Sequence, residues 1–72
     1  MARYGRNTIP EWIVDIEGTM PDGVATISLE NIHVYGFSNR DAKRNLREYL
    51  MRIGYDDVTA DEAVKVAEFR RA

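Results

Sequence analysis

Acid–base or metal chemistry in this chain would fall to one histidine, His33, and twelve carboxylates, because cysteine is absent. Without cysteine there is no thiolate nucleophile, no disulfide and no Cys-based zinc site. His33 has no serine or cysteine at a spacing that would build a nucleophile–base pair. Asp15 with Glu17, and Asp56 with Asp57, are the candidate carboxylate pairs. Neither completes the oxygen cage that calcium requires. Gly36 and Gly54 are isolated, and no phosphate-cradling GxGxxG or Walker pattern occurs. The residues therefore predict no enzyme, no cofactor and no metal, with His33 structural or at the surface.

Two surfaces remain that could bind a partner. Arg40, Lys43, Arg44 and Arg47 recur at i, i+3, i+4 and i+7. That spacing puts four cations on one helical face, opposite an apolar stripe, where they could track phosphates and release counterions. The overall net charge of -2 weighs against a general nucleic-acid role. The second surface is one face of a sheet, presenting Ile13, Asp15, Glu17, Thr26, Ser28, His33 and Tyr35. Acids mixed with an aliphatic and an aromatic residue suit a protein partner with a basic surface. An exposed edge strand offers pairing to a partner's strand, and homodimerisation through the same surface is a third reading.

The elements that position these residues follow from a change of rhythm at Ser38. Up to Phe37 the apolar residues alternate as a strand requires; from Ser38 to Ile53 they recur every three to four, as a helix requires. Trp12, Val14 and Ile16 share one face of a first strand. Gly18 to Gly23 supplies turn chemistry through Pro21 and Asp22-Gly23. Ala25, Ile27 and Leu29 share a face of a second strand, and at Glu30-Asn31 the alternation slips by one. A turn there gives a three-stranded antiparallel meander; a single long bulged strand is the alternative.

Ser38 reads as a helix N-cap, with Asp41 in the first turn and Phe37 and Ala42 at the hydrophobic-staple positions. Ala42, Leu46, Tyr49, Leu50 and Ile53 form the apolar stripe, and Gly54 is the stop. Thr59-Ala-Asp-Glu62 predicts a capping box opening a short C-terminal helix, packed through Ala63, Val66 and Phe69. The expected fold class is α+β: a three-stranded antiparallel sheet packed by one amphipathic helix plus a short C-terminal helix, in the order β-β-β-α-α. Residues 1–9 are expected to be a flexible arm and residues 10–72 a single domain.

Seventy-two residues lie near the lower limit for a self-sufficient core. A surface-binding role or an oligomer fits that limit better than a deep cleft. The polar N-terminus has no apolar signal region, and no apolar run reaches a membrane span. A cytoplasmic protein with no membrane partner is expected. Charge is segregated: residues 10–35 carry Glu11, Asp15, Glu17, Asp22 and Glu30 with no Lys or Arg, whereas residues 36–54 are basic.

Two stretches carry a family resemblance. Asp22-Gly23 through Leu50 resembles the small α/β domain of HicB-type antitoxins. The matching run is Tyr35-Gly-Phe-Ser-Asn-Arg-Asp-Ala42 followed by Lys43-Arg-Asn-Leu-Arg-Glu-Tyr-Leu50, with Gly36, Ser38, Ala42, Glu48 and Leu50 at the family's positions. The family's Pro-Asp-Leu-Pro-Gly connection is missing. The resemblance implies a domain that binds and masks a basic protein. Ser38-Asn-Arg-Asp-Ala-Lys43 is similar to the start of the last helix of double-stranded-RNA-binding domains, and Pro10-Glu-Trp-Ile-Val to their first strand. That likeness implies phosphate contacts from Arg40 and Lys43. The expected function is a small non-enzymatic regulatory module acting on a protein partner, antitoxin-like or of the accessory phage or mobile-element type. Ile13, Asp15, Glu17, His33 and Tyr35 are its expected contacts, and charge reversal at Asp15 and Glu17 is expected to abolish binding without unfolding. Duplex RNA or other nucleic acid at Arg40, Lys43, Arg44 and Arg47 is the alternative.

Overall fold

The computed structural model describes residues 9–19 and 26–72. The predicted arm, apart from Ile9, and the predicted turn from Met20 to Gly23 lie outside these residues. Strand β1 spans Glu11–Thr19, β2 Thr26–Tyr35, helix α1 Asn39–Arg52, helix α2 Asp57–Val66 and strand β3 Glu68–Arg71. The sheet is antiparallel with order β2-β1-β3. The fold is α+β, as the change of rhythm requires, but its order is β-β-α-α-β.

Residues 26–35 form one bulged strand, and the meander is not formed. Val14 pairs with Ile32 but Ile16 pairs with Leu29, so Asp15 stands opposite both Glu30 and Asn31. The extra residue is absorbed by Asn31, whose φ of 58° lies in the left-handed region that asparagine tolerates better than most residues. A bulge leaves one N–H without a ladder partner. Here the Asn31 N–H donates to the Asp15 carboxylate at 2.9 Å. The slip thus keeps both apolar sets, Ile27 with Leu29 and Ile32 with Val34, on one face without a chain reversal.

The third strand is C-terminal, where a helix was expected. Asp56, three residues before Thr59, is the N-cap of α2 and accepts from the Thr59 N–H at 2.8 Å. The helix ends at Val66, and Ala67 is already extended (φ -68°, ψ 144°). Glu-Phe-Arg-Arg then alternates as a strand, with Phe69 opposite Val14. Helix α2 packs through Ala60 and Ala63, while Val66 stays half-exposed and Phe69 packs from β3.

Helix α1 begins and ends as its residues dictate. Ser38 Oγ accepts from the Asp41 N–H at 3.2 Å, and the Asp41 carboxylate accepts from the Phe37 N–H at 3.3 Å. Phe37 does not act as a staple; it is 69% exposed. At the other end Gly54 adopts φ 122°. The Gly54 N–H donates to Met51 and the Tyr55 N–H to Leu50, the two bonds of a Schellman stop. Ala42, Leu46 and Leu50 are buried, whereas Tyr49 and Ile53 sit at the exposed margin of the stripe. Both helices cover the same face, over Val14, Ile16, Ile27, Ile32 and Val34. The opposite face is left open.

Candidate binding surface

The open face is built by alternation from all three strands. β1 contributes Glu11, Ile13, Asp15 and Glu17, and β2 contributes Tyr35, His33 and Ser28 opposite Glu11, Ile13 and Glu17. β3 adds Arg70 opposite Ile13 and Glu68 opposite Asp15. The five expected contacts, Ile13, Asp15, Glu17, His33 and Tyr35, therefore share one surface. Arg70 and Glu68 were missed because the C-terminus reads as helix; four alternating residues are too few to show a strand's period.

Arg70 changes the character of this face. Its guanidinium donates to Asp15 at 2.6 Å and to the Asn31 side-chain carbonyl at 3.2 Å. Asp15 thereby ties together β1, the bulge of β2 and β3. The Asn31 N–H, and after it Arg70, hold the Asp15 carboxyl below its ordinary value. A second pair closes nearby, His33 Nδ1 with Glu11 Oε2 at 2.5 Å. The middle of the face is thus internally paired rather than acidic.

The two ends differ. The Gly36 N–H donates to the Pro10 carbonyl, carrying the β1–β2 pairing one step past the strands. That step brings Ile9 and Phe37 to the end where Tyr35 lies; Tyr35 is 51% exposed. At the opposite end Glu17, Glu30 and Glu68 line a hollow of about 290 Å³ together with Ile16, Leu29 and Val66. Those three acids form no ion pair among the described residues. The arrangement offers aromatic contact area at one end and uncompensated negative charge at the other.

The basic stripe is partly spent within the fold. Arg44 pairs with Asp41 at 3.2 Å. Arg47 reaches Asp61 on α2 at 2.5 Å, and this hydrogen-bonded contact raises its pKa. The stripe therefore turns towards α2 instead of standing clear opposite the core. Arg40 and Lys43 make no ion pair among the described residues.

Because Asp15 joins three elements, reversing its charge is expected to destabilise the domain as well as to alter the open face. Its pKa is lowered on folding, so its stabilisation is complete above the ordinary carboxyl pKa of about 3.9 and fades as pH falls through the lower folded value. Asp15→Asn should be less stable than the parent at pH 7, with the difference shrinking towards pH 2. Urea midpoints across that range test this; a difference independent of pH would contradict it.

The class these features define is a small α+β domain with two helices on one sheet face and a partly apolar, partly acidic face left uncovered. Compared with protein-family models, curated proteins and solved structures, the chain matches none. Among the described residues no helix is long and apolar enough to cross a membrane.

Proposed function

We propose that this protein is a non-enzymatic binding module that engages a protein partner through its open sheet face. The observation that carries the reading is the uncovered apolar end, where Tyr35 and Phe37 stand exposed beside Ile9. Aromatic anchors supply most of the energy in protein interfaces, and surrounding charge sets orientation and encounter rate. Glu17, Glu30 and Glu68 favour a partner with a basic surface. The likeness to HicB-type antitoxins supports the same reading, as does the small core, which suits a surface role. A cysteine-free chain of this kind fits a cytoplasmic setting.

The test uses immobilised protein and a Tyr35→Ala/Phe37→Ala double variant. Both side chains are exposed, so the melting temperature should stay within a few degrees of the parent. A protein retained by the parent at moderate salt should be lost with the variant. Equal retention by both would overturn the reading.

Nucleic-acid binding through α1 is the second reading, favoured by Arg40 and Lys43 remaining without an ion pair among the described residues. With only two of the four stripe cations unengaged among the described residues, its affinity would be weak and would fall steeply with salt. Amide shifts between Ser38 and Arg47 on adding duplex RNA at low ionic strength are its signature.

A further inference from the structure

β1 is longer than the strand on its outer side. Pairing with β3 runs from Trp12–Arg71 to Asp15–Glu68 and stops, while pairing with β2 continues to Thr19–Thr26. Along an antiparallel strand, successive residues turn their backbone groups to opposite neighbours. The Pro10 carbonyl accepts from Gly36 beside β2, and the Glu11 carbonyl accepts from Ala72 beside β3. The odd-numbered residues of β1 therefore face β3. Glu17 and Thr19 present N–H and C=O to the position that a longer β3 would fill. Among the described residues no strand lies there.

The acidic hollow borders this position through Glu17, Val66 and Glu68, and extends across β1 to Ser28, Leu29 and Glu30 of β2. Val66, the last residue of α2, is 41% exposed and approaches Gly18, and Ala67 leads the chain into the sheet only at Glu68. The notch at the edge is thus apolar on the side of the helices, through Val66, and acidic on the open side, through Glu17 and Glu68. The other long edge is guarded. β2 is broken by its bulge, and the Asn45 side chain donates to the Tyr35 carbonyl. Bulges and side-chain caps of this kind keep an edge from pairing; the β1 segment has neither.

We propose that this notch takes an extended cationic segment of another protein, added in line with β3 as a further strand along Ile16–Thr19. This rests on the protein-binding reading and narrows it to one mode. Backbone groups without a partner among the described residues select an extended chain, as in strand addition. The two faces of the notch select its pattern: apolar side chains meet Val66, and alternate Lys or Arg side chains meet Glu17 and Glu68.

The probe is acetyl-Lys-Val-Lys-Val-Lys-Val-amide, titrated into the isotope-labelled full chain at low ionic strength. Shifts should centre on residues 16–19 and Glu68, and saturating peptide should slow amide exchange at Glu17 and Thr19 about tenfold. Glu17→Lys/Glu68→Lys should keep a folded spectrum and weaken the peptide by about tenfold. Shifts at the acids without slowed exchange would reduce the effect to charge attraction and overturn the proposal. Protection that rises with protein concentration before peptide is added would assign the edge to a second copy instead, and absence of any response would also overturn it. Loss of this response while Tyr35 and Phe37 still govern partner retention removes the notch alone. Loss of both removes the protein-binding reading.

Discussion

Leu46→Ala is expected to leave a large part of the protein unfolded at room temperature. Leu46 is fully buried and, with Val14, Ile16 and Leu50, is one of four large side chains with almost no exposure among the described residues. Deleting a buried leucine side chain to alanine costs about 2–5 kcal/mol, rising with the cavity that remains. Collapse around the gap is hindered here, because the fully buried residues of α2 in the same cluster are Ala60 and Ala63, with Val64 only half-buried against it. Alanines have no length with which to lean into a void. A single core of this size rarely supplies more than about 3–5 kcal/mol, so one substitution consumes most of it. Urea denaturation followed by far-UV circular dichroism measures the loss. Tyr49→Ala, three residues along the same helix but at its exposed margin, should cost about 1 kcal/mol or less. If the two variants unfold at the same urea concentration, the assignment of the buried stripe is wrong.

That contrast also shows what a one-dimensional pattern can express. Alternation in Trp12–Ile16 and the three-to-four spacing from Ala42 to Leu50 are local consequences of burying one face, so both elements were legible. The N-cap at Ser38 and the stop at Gly54 were legible for the same reason: each satisfies backbone groups with residues a few positions away. The slip at Glu30-Asn31 was visible, but its resolution was not. Whether it became a turn or a bulge depended on Asp15, sixteen residues earlier, which accepts the Asn31 N–H. The C-terminal strand was hidden because Glu-Phe-Arg-Arg has too few residues to show a period, and because the strand needs β1 as its neighbour.

The candidate surface follows the same division. Ile13, Glu17, His33 and Tyr35 fall together on the open face because the alternation was read correctly. Asp15 also takes a place in the fold that the pattern does not show, because Arg70, fifty-five positions away, lies against it. The four cations of α1 looked equivalent in the sequence, since spacing says nothing about the acids of another helix. Asp61 removes Arg47 from that set. Phe37 was assigned inward by its place before the cap, and its exposure makes it the most prominent apolar group beside the open face.

Gly36→Ala should cost about 3 kcal/mol, at the upper end of what overpacking usually costs. A methyl group at Gly36 would lie 2.6 Å from the Ala42 backbone nitrogen and 2.8 Å from the Asp41 Cβ. Either the strand end or the first turn of α1 must move. The strand end is held on both sides: the Gly36 N–H donates to Pro10 at 3.0 Å, and the Gly36 carbonyl accepts from the Trp12 indole at 2.9 Å. Pro10 has no N–H to return that first bond, so the indole supplies the missing donor. The helix is held by its own first bond, Ala42 N–H to the Ser38 carbonyl at 2.9 Å, and by the Ser38 cap. Relief on either side therefore breaks hydrogen bonds that have no substitute nearby. Ser38→Ala, which removes only the cap, should cost about 1 kcal/mol. Thermal melts rank the two, and emission from Trp12, the only tryptophan, reports whether the indole bond survives. Gly36→Ala with a near-parental melt and unchanged emission would refute the close approach of strand and helix. Tyr35 and Phe37 flank Gly36, so the same displacement moves the aromatic end of the open face. If the proposed protein-binding reading holds, the variant loses partner retention at temperatures where its sheet and helices still give a folded spectrum.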